Sequence, residues 1–418
     1  MALKNLLKPI LFSILLLRIF PSFAQIATTP YSMYGPGTEA FQGNVYSSGL
    51  GYSGIALQDS LYINTINPAS FKRDSLDFTF EFAFIGKYNR LKASNTSVSD
   101  FTSNMNYMTA AFRIFNWWST SIGLLPYSSS EYSIKYTENN PEIGEITHYL
   151  RGNGGINRIY WANSLKIKNL TIGANINYVF GYLSHYASVV LPGGNYYFNT
   201  STKKQRNIKD FSYDFGLQYH FRIKNHKITI GAIYTPKQSL KSAEQILESK
   251  AIYLEYNRLD TIYYSETNAI STDFPEKYGF GVSVSNTQWL LTAEFLTENW
   301  TNTQWATSQN MTNSVKIHAG AEYTPKHNVL SEYFKKMSYR TGFYHEKTGL
   351  YINNTYLTKT GITLGAKMPL RKKKQSVNFS LDFGKYGTLA NNLIEELYIQ
   401  FRIGINLHET WFIKPKIN

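Results

Sequence analysis

The amino-acid sequence predicts an all-β fold, a 14-stranded antiparallel transmembrane β-barrel with an N-terminal plug or hatch. Three observations carry that expectation. They are a secretory leader, segment after segment of period-two alternation, and no further apolar run long enough for a helix to cross a bilayer. Composition agrees. Among 418 residues there are 33 Tyr and 26 Phe, far more than a helical core needs, while a mean hydropathy of −0.30 is too polar for a polytopic helical membrane protein. Cysteine is absent, which excludes a disulfide scaffold, a cysteine nucleophile, cysteine-based zinc sites and a lipidated N-terminal cysteine.

Residues 1–24 read as a signal peptide. Lys4 and Lys8 form the basic start, Ile10–Leu17 is apolar apart from Ser13, and Ser22-Phe23-Ala24 offers small residues for cleavage after Ala24. Arg18 interrupts the run too early for a spanning helix. Removing these three cations lowers the formal charge from +14 to +11.

The strand signal is clearest near the C-terminus. Leu397, Ile399, Phe401, Ile403, Ile405 and Leu407 share one face, and Tyr398, Gln400, Arg402, Gly404 and Asn406 the other. Phe211–Phe221 and Leu170–Phe180 repeat the scheme, and Phe78, Phe80, Phe82 and Phe84 face away from Thr79 and Glu81. Soluble sandwiches also alternate, but over about 5–6 residues; runs of 9–12 fit a barrel with lipid outside and small or polar side chains such as Gly216, Asn175 and Asn177 inside. On this pattern a charge at Ile403 meets lipid, while one at Gln400 meets the lumen and is expected to cost much less.

Fourteen spans meet the pattern: 77–88, 104–114, 118–126, 157–167, 169–182, 211–222, 227–236, 276–284, 288–296, 314–324, 337–345, 361–369, 376–386 and 396–407. The connections between them alternate long and short, and only 325–336 breaks the short series. Long outer loops and short periplasmic turns are the rule for outer-membrane barrels. Both termini are therefore expected in the periplasm of a Gram-negative bacterium, with the barrel at 77–407 and a periplasmic tail at 408–418. Trp117, Trp118, Trp411 and Phe412 fall at strand ends, as an interfacial aromatic girdle requires. Lys203-Lys204-Gln205-Arg206 falls in an outer loop, where outer-membrane lipid and the phosphates of lipopolysaccharide are the natural counter-charge.

Residues 25–76 follow no membrane pattern. Glycines 35, 37, 43, 49, 51 and 54 stand among Tyr, Ser and short apolar clusters, which suits a segment folded into a crowded lumen. Catalytic chemistry has little to stand on: the eight His are scattered, no HExxH or carboxylate cluster occurs, and no Gly-rich loop joins a strand to a helix. No enzyme activity, metal or cofactor is expected, and secretion makes a nucleic-acid partner remote.

Asn67-Pro68-Ala69, shortly before the first strand, resembles the NPA element of the FadL/TodX family, with Ser70 where that pattern usually continues with Gly. Thr29–Gly37 (TPYSMYGPG), Ser121–Ser128 (SIGLLPYS), Gly154–Leu165 (GGINRIYWANSL), Phe383–Gly387 (FGKYG) and Gly404–Lys416 (GINLHETWFIKPK) look like one branch of it. The resemblance implies fourteen strands, an N-terminal hatch whose gate includes Asn67, Pro68 and Ala69, and passive uptake of long-chain fatty acids or other hydrophobic compounds. The aromatic clusters Tyr186–Leu191, Tyr196–Phe198, Ile252–Tyr256 and Ile262–Tyr264 could form a pocket for such a ligand, or could be strands continuing above the membrane, and no single residue in them is assigned to a ligand. The alternative is a non-transporting structural or accessory barrel that joins protein partners in an outer-membrane assembly, secretion or motility complex. The long 325–336 connection and the tail Trp411–Asn418 favour it.

Overall fold

The structure, a computed structural model, describes residues 29–71, 77–94, 96–192, 198–251, 260–305, 311–326, 331–370 and 375–410. The leader, Tyr196, Tyr197, Ile252–Tyr256, Trp411, Phe412 and the rest of the tail lie outside the described residues.

A two-residue piece, β1 (Thr38–Glu39), belongs to the N-terminal segment. The wall then comprises β2 (Asp77–Lys92), β3 (Ser97–Phe115), β4 (Trp118–Ser129), β5 (Tyr132–Asn140), β6 (Gly144–Ile167), β7 (Leu170–Val190), β8 (Asn199–Ile223), β9 (His226–Thr235) and β10 (Gln238–Ala251). It continues through β11 (Asp260–Phe274), β12 (Glu276–Ser285), β13 (Trp289–Asn299), β14 (Ser314–Tyr323), β15 (Ser338–Ile352), β16 (Thr355–Pro369), β17 (Ser376–Gly387) and β18 (Glu395–Thr410). Three staves of the barrel are broken in two. β9/β10 breaks at Pro236 and β11/β12 at Pro275, where the missing N–H interrupts a ladder. β4/β5 breaks at Ser130-Glu131. The result is fourteen antiparallel staves, closed by β18 pairing with β2 from Glu395↔Lys92 to Thr410↔Asp77.

All fourteen predicted spans are strands, and their short-turn ends agree to within about two residues. Their far ends run on. The expected loops 127–156, 183–210 and 237–275 are largely strand in β5, β6, β7, β8, β10 and β11, so Tyr186–Val190 and Ile262–Tyr264 extend the wall and do not line loops. Above the bilayer one face need no longer be apolar, and the alternation that marks a membrane strand fades. The run Lys203–Arg206 is likewise strand, with Arg206 Nη2 2.7 Å and Lys204 Nζ 3.2 Å from Glu244 on β10. Nearby, Tyr132 and the Nδ1 of His185 lie 2.8 Å apart. Burial, helped by Lys204 and Arg206, pushes the His185 imidazole below its ordinary pKa.

The two faces separate as the alternation requires. Ile399, Ile403 and Ile405 are exposed on the outside, as are Phe211, Tyr213, Phe215 and Leu217, whereas Gln218, Asn175, Asn177 and Glu81 are buried inside. At the short-turn end Trp117 is exposed and stacks on Phe115 and Trp118, and Trp118 Nε1 donates to Asn163 at 2.9 Å. Ile403→Arg places a charge in lipid and is expected to cost about 2–4 kcal/mol, read as a shift of the urea unfolding midpoint against Ile403→Leu. The expectation for Gln400 needs correcting. This side chain is buried 3.4 Å from the Tyr52 hydroxyl and beside Arg402, so the lumen there is packed, and a second cation would be costly.

Candidate functional site

Residues 29–71 lie inside the ring of strands and touch it on all sides. Leu50, Ile55 and Ile63 are fully buried, and a four-residue helix, α1 (Val45–Ser48), is capped by Asn44, whose Oδ1 accepts from Ser47 N at 2.9 Å. The segment has too little regular structure to satisfy its own backbone, so the wall does so. Glu294 Oε2 on β13 accepts from Gly54 N and Ile55 N at 2.7 and 2.8 Å. Glu81 Oε1 on β2 accepts from Ile63 N at 2.7 Å, Thr363 Oγ1 on β16 from Gly51 N at 2.9 Å, and Gln218 Nε2 on β8 donates to Ile55 O at 2.8 Å.

Asn67-Pro68-Ala69 sits against β6, β7 and β8. Pro68 holds Asn67 extended (φ −117°, ψ 113°) and opens a short 3-10 turn, Pro68–Ser70. The Asn67 amide donates to Ile55 O at 2.8 Å and to the wall carbonyl of Leu217 at 3.3 Å, while its Oδ1 accepts from Ala69 N at 2.9 Å. Ser164 Oγ on β6 donates to Ala69 O at 3.3 Å. The turn rests on Gly173 and Gly216, where any Cβ would collide with Pro68 and, at Gly216, with Asn67 Oδ1 as well. Backbone meets backbone again where Gly51, in the left-handed region at φ +66°, crosses Gly342. The alternation marked Gly216 as a small lumenal residue, but the contact of Gly173, Gly216 and Gly342 with the N-terminal segment had no local sequence signal.

Charged side chains fasten the same segment. Glu39 on β1 pairs with Lys316 and lies 3.7 Å from Lys277, and both lysines bind Glu298 at 3.1–3.3 Å. His318 Nδ1 is 2.9 Å from Glu294 and its Nε2 3.1 Å from Glu346. Tyr52 donates to Asp382 and accepts from Arg402 Nη1 at 3.2 Å, and Arg340 lies over the ring of Tyr46 at 4.2 Å. Of these groups the alternation had placed Arg402 on the lumenal face, without indicating its partners. Above this layer a cavity of about 1020 Å³ is lined by residues 29–42, by apolar side chains such as Val179, Leu240, Phe274, Leu296 and Met311, and by the charged Glu298, Lys316, Glu346, Lys359 and Arg402.

Among the described residues the wall parts between β3 and β4. β3 pairs with β4 only from Met108↔Leu124 to Phe115↔Trp118, and above Met108 it pairs with β2 alone among the described residues. The N-terminal segment fills the foot of that parting. β1 adds to β4 through Thr38↔Ser129 and Glu39↔Ser128, Ala40 N donates to Tyr127 O at 2.9 Å, and Ser128 Oγ donates to Pro36 O at 2.6 Å.

Among solved structures, the monoaromatic hydrocarbon channel CymD is similar, at 13% identity and a TM-score of 0.57, over 88% of this chain and 98% of that one. The toluene transporter TodX of Pseudomonas putida (14%, TM-score 0.58, 91% and 99%) and the toluene transporter TbuX of Ralstonia pickettii (14%, 0.56, 88% and 98%) are similar too. At such identity the likeness establishes the fold alone, a closed 14-stranded barrel like those of these channels. No curated protein matches. A family model described as BamG matches residues 6–418, nearly the whole sequence. The chain belongs to the BamG family.

Proposed function

We propose that this protein is a non-transporting accessory barrel, a subunit of an outer-membrane assembly complex, with both termini in the periplasm and the tall strands β5–β8, β10 and β11 facing outward. One observation carries the reading. The N-terminal segment is fastened into the wall by buried charged groups and backbone hydrogen bonds, which closes the lumen beneath the cavity. A molecule passing the lumen would have to break these bonds and leave buried polar groups unpaired. Membership of the BamG family, and not of a family whose model describes a channel, supports the same conclusion.

The second reading, a passive channel for hydrophobic compounds with Asn67-Pro68-Ala69 in its gate, is favoured by the parted β3 and β4, which offer a route through the wall, and by the fold shared with hydrocarbon channels. Liposomes separate the two. The intact protein is expected to pass neither ions nor an apolar dye, whereas deletion of Gln25–Val45 removes part of the packing and should open both pathways. Dye uptake by the intact protein equal to that of the deletion variant would establish the channel and overturn the accessory reading.

A further inference from the structure

The rims of the parting between β3 and β5 are two rows of main-chain groups with no partner strand. Ser97–Met105 on β3 pairs on one side only, with β2, and Tyr132–Asn140 on β5 pairs on one side only, with β6, among the described residues. The β3 rim is in register over Ser97–Met105, and the β5 rim over its whole length. Natural edges are blunted by Lys, Pro or bulges. The β3 rim, SVSDFTSNM, has neither Lys nor Pro, and it exposes Val98, Phe101 and Met105.

Depth makes the open rim costly. Phe101 is level with Tyr88 and Ile399, and Met105 with Phe84 and Ile403, whose side chains form the lipid-facing belt. Unpaired N–H and C=O groups in hydrocarbon cost several kcal/mol each, and open sheet edges are not tolerated there. Lipid tails supply no donors or acceptors, whereas an extended peptide supplies both at the spacing the rim presents. The protein already uses this solution lower in the same parting, where β1 of the hatch adds as a strand to Ser128 and Ser129 of β4.

Building on the accessory-subunit reading, we infer that the slot between β3 and β5 receives an extended strand from a partner membrane protein. The strand lies above β1, pairs with Ser97–Met105 on one rim and with Tyr132–Asn140 on the other, and closes the wall of the barrel. Binding in this mode gets its affinity from the main chain, and its side-chain preference from Phe101 and Met105, which call for apolar residues on the lipid side.

The test uses the full chain isolated with its partners under mild detergent, and the same chain stripped of them and returned to lipid nanodiscs. Amide hydrogen exchange should be slowed at least tenfold at every second residue of Ser97–Met105 in the assembly, and should be fast in the stripped protein. Phe101→Lys blunts the rim and should lower partner recovery at least tenfold. Phe280→Lys, an equally lipid-exposed change on β12, should leave recovery intact and so controls for insertion. Equal recovery for both variants, or rim exchange unchanged by stripping, would overturn the slot while the accessory reading stood. A disulfide-linked homodimer of Phe101→Cys would make the occupant a second copy and would likewise overturn it. Isolation of the intact chain with no partner at all would instead bring down the accessory reading itself.

Discussion

Gly216→Val is expected to drive the hatch out of the barrel while leaving the wall folded. Gly216 lies on the lumenal face of β8, and a Cβ there would collide with Asn67 Oδ1 and come within 2.8 Å of the Pro68 ring. The obstacle is a rigid turn: Pro68 has a fixed φ, and Asn67 is tied to Ile55, Ala69 and Leu217. Overpacking of this kind costs about 1–3 kcal/mol, and each Asn67 bond broken in a buried place adds about 1–3 kcal/mol. Valine suits a strand, so β8 itself should be unharmed. The expected readout is protease cleavage within residues 29–71 and raised ion conductance in liposomes, with unchanged heat-modifiable migration of the barrel. Leu217→Val, on the lipid face of the same strand, should do neither. A hatch as protected in Gly216→Val as in the parent would mean that the NPA turn is not what seats the segment.

The contrast between Gly216 and Leu217 also shows where sequence reasoning worked and where it stopped. Period-two alternation is imposed by two solvents, lipid outside and a packed polar interior, and it was legible wherever both act; Phe211–Phe221 and Leu397–Leu407 were read correctly to the residue. Above the bilayer only one solvent remains, so β10, with the sequence QSLKSAEQILESKA, has no alternation to read and was taken for loop. Pro236 and Pro275 marked breaks in staves that were taken for their ends. Inside the barrel the difficulty was of another kind. Asn67-Pro68-Ala69 stood out by resemblance, but Glu294, Glu298, Lys316 and Arg340 are single polar residues on lumenal faces, identical in pattern to any solvated strand position. The N-terminal partners of Glu294, Lys316 and Arg340 are more than two hundred residues away in the chain, at Gly54, Glu39 and Tyr62, and no spacing in one sequence encodes such a pairing. One signal was available. Acidic and basic residues on the lumenal parity of adjacent strands, such as Glu298 beside Lys277 and Lys316, predict ion pairs inside the wall.

Among those lumenal charges Glu294 is the one whose loss should cost most. Its Oε2 accepts from two consecutive hatch amides, Gly54 and Ile55, and its Oε1 faces His318, which in turn faces Glu346. Glu294→Ala removes all three bonds at once. It leaves two buried N–H groups without an acceptor and an imidazole held from one side only, a loss of about 3–5 kcal/mol. The effect should be local. The main-chain ladders of β13 with β12 and β14 are untouched, so barrel unfolding in urea should shift less than the hatch opens, and amide exchange at Gly54 and Ile55 should accelerate at least a hundredfold. Glu294→Gln divides the effect into its parts. The amide oxygen can still accept from Gly54 and Ile55, and the amide N–H can donate to a neutral His318, so only the charge is lost, and exchange should rise about tenfold or less. If Gln proved as damaging as Ala, the hatch would be held by the Glu294–His318–Glu346 charge array. If neither variant loosened Gly54 and Ile55, the acceptor role of Glu294 would be refuted, and with it the view that buried charge keeps this lumen shut.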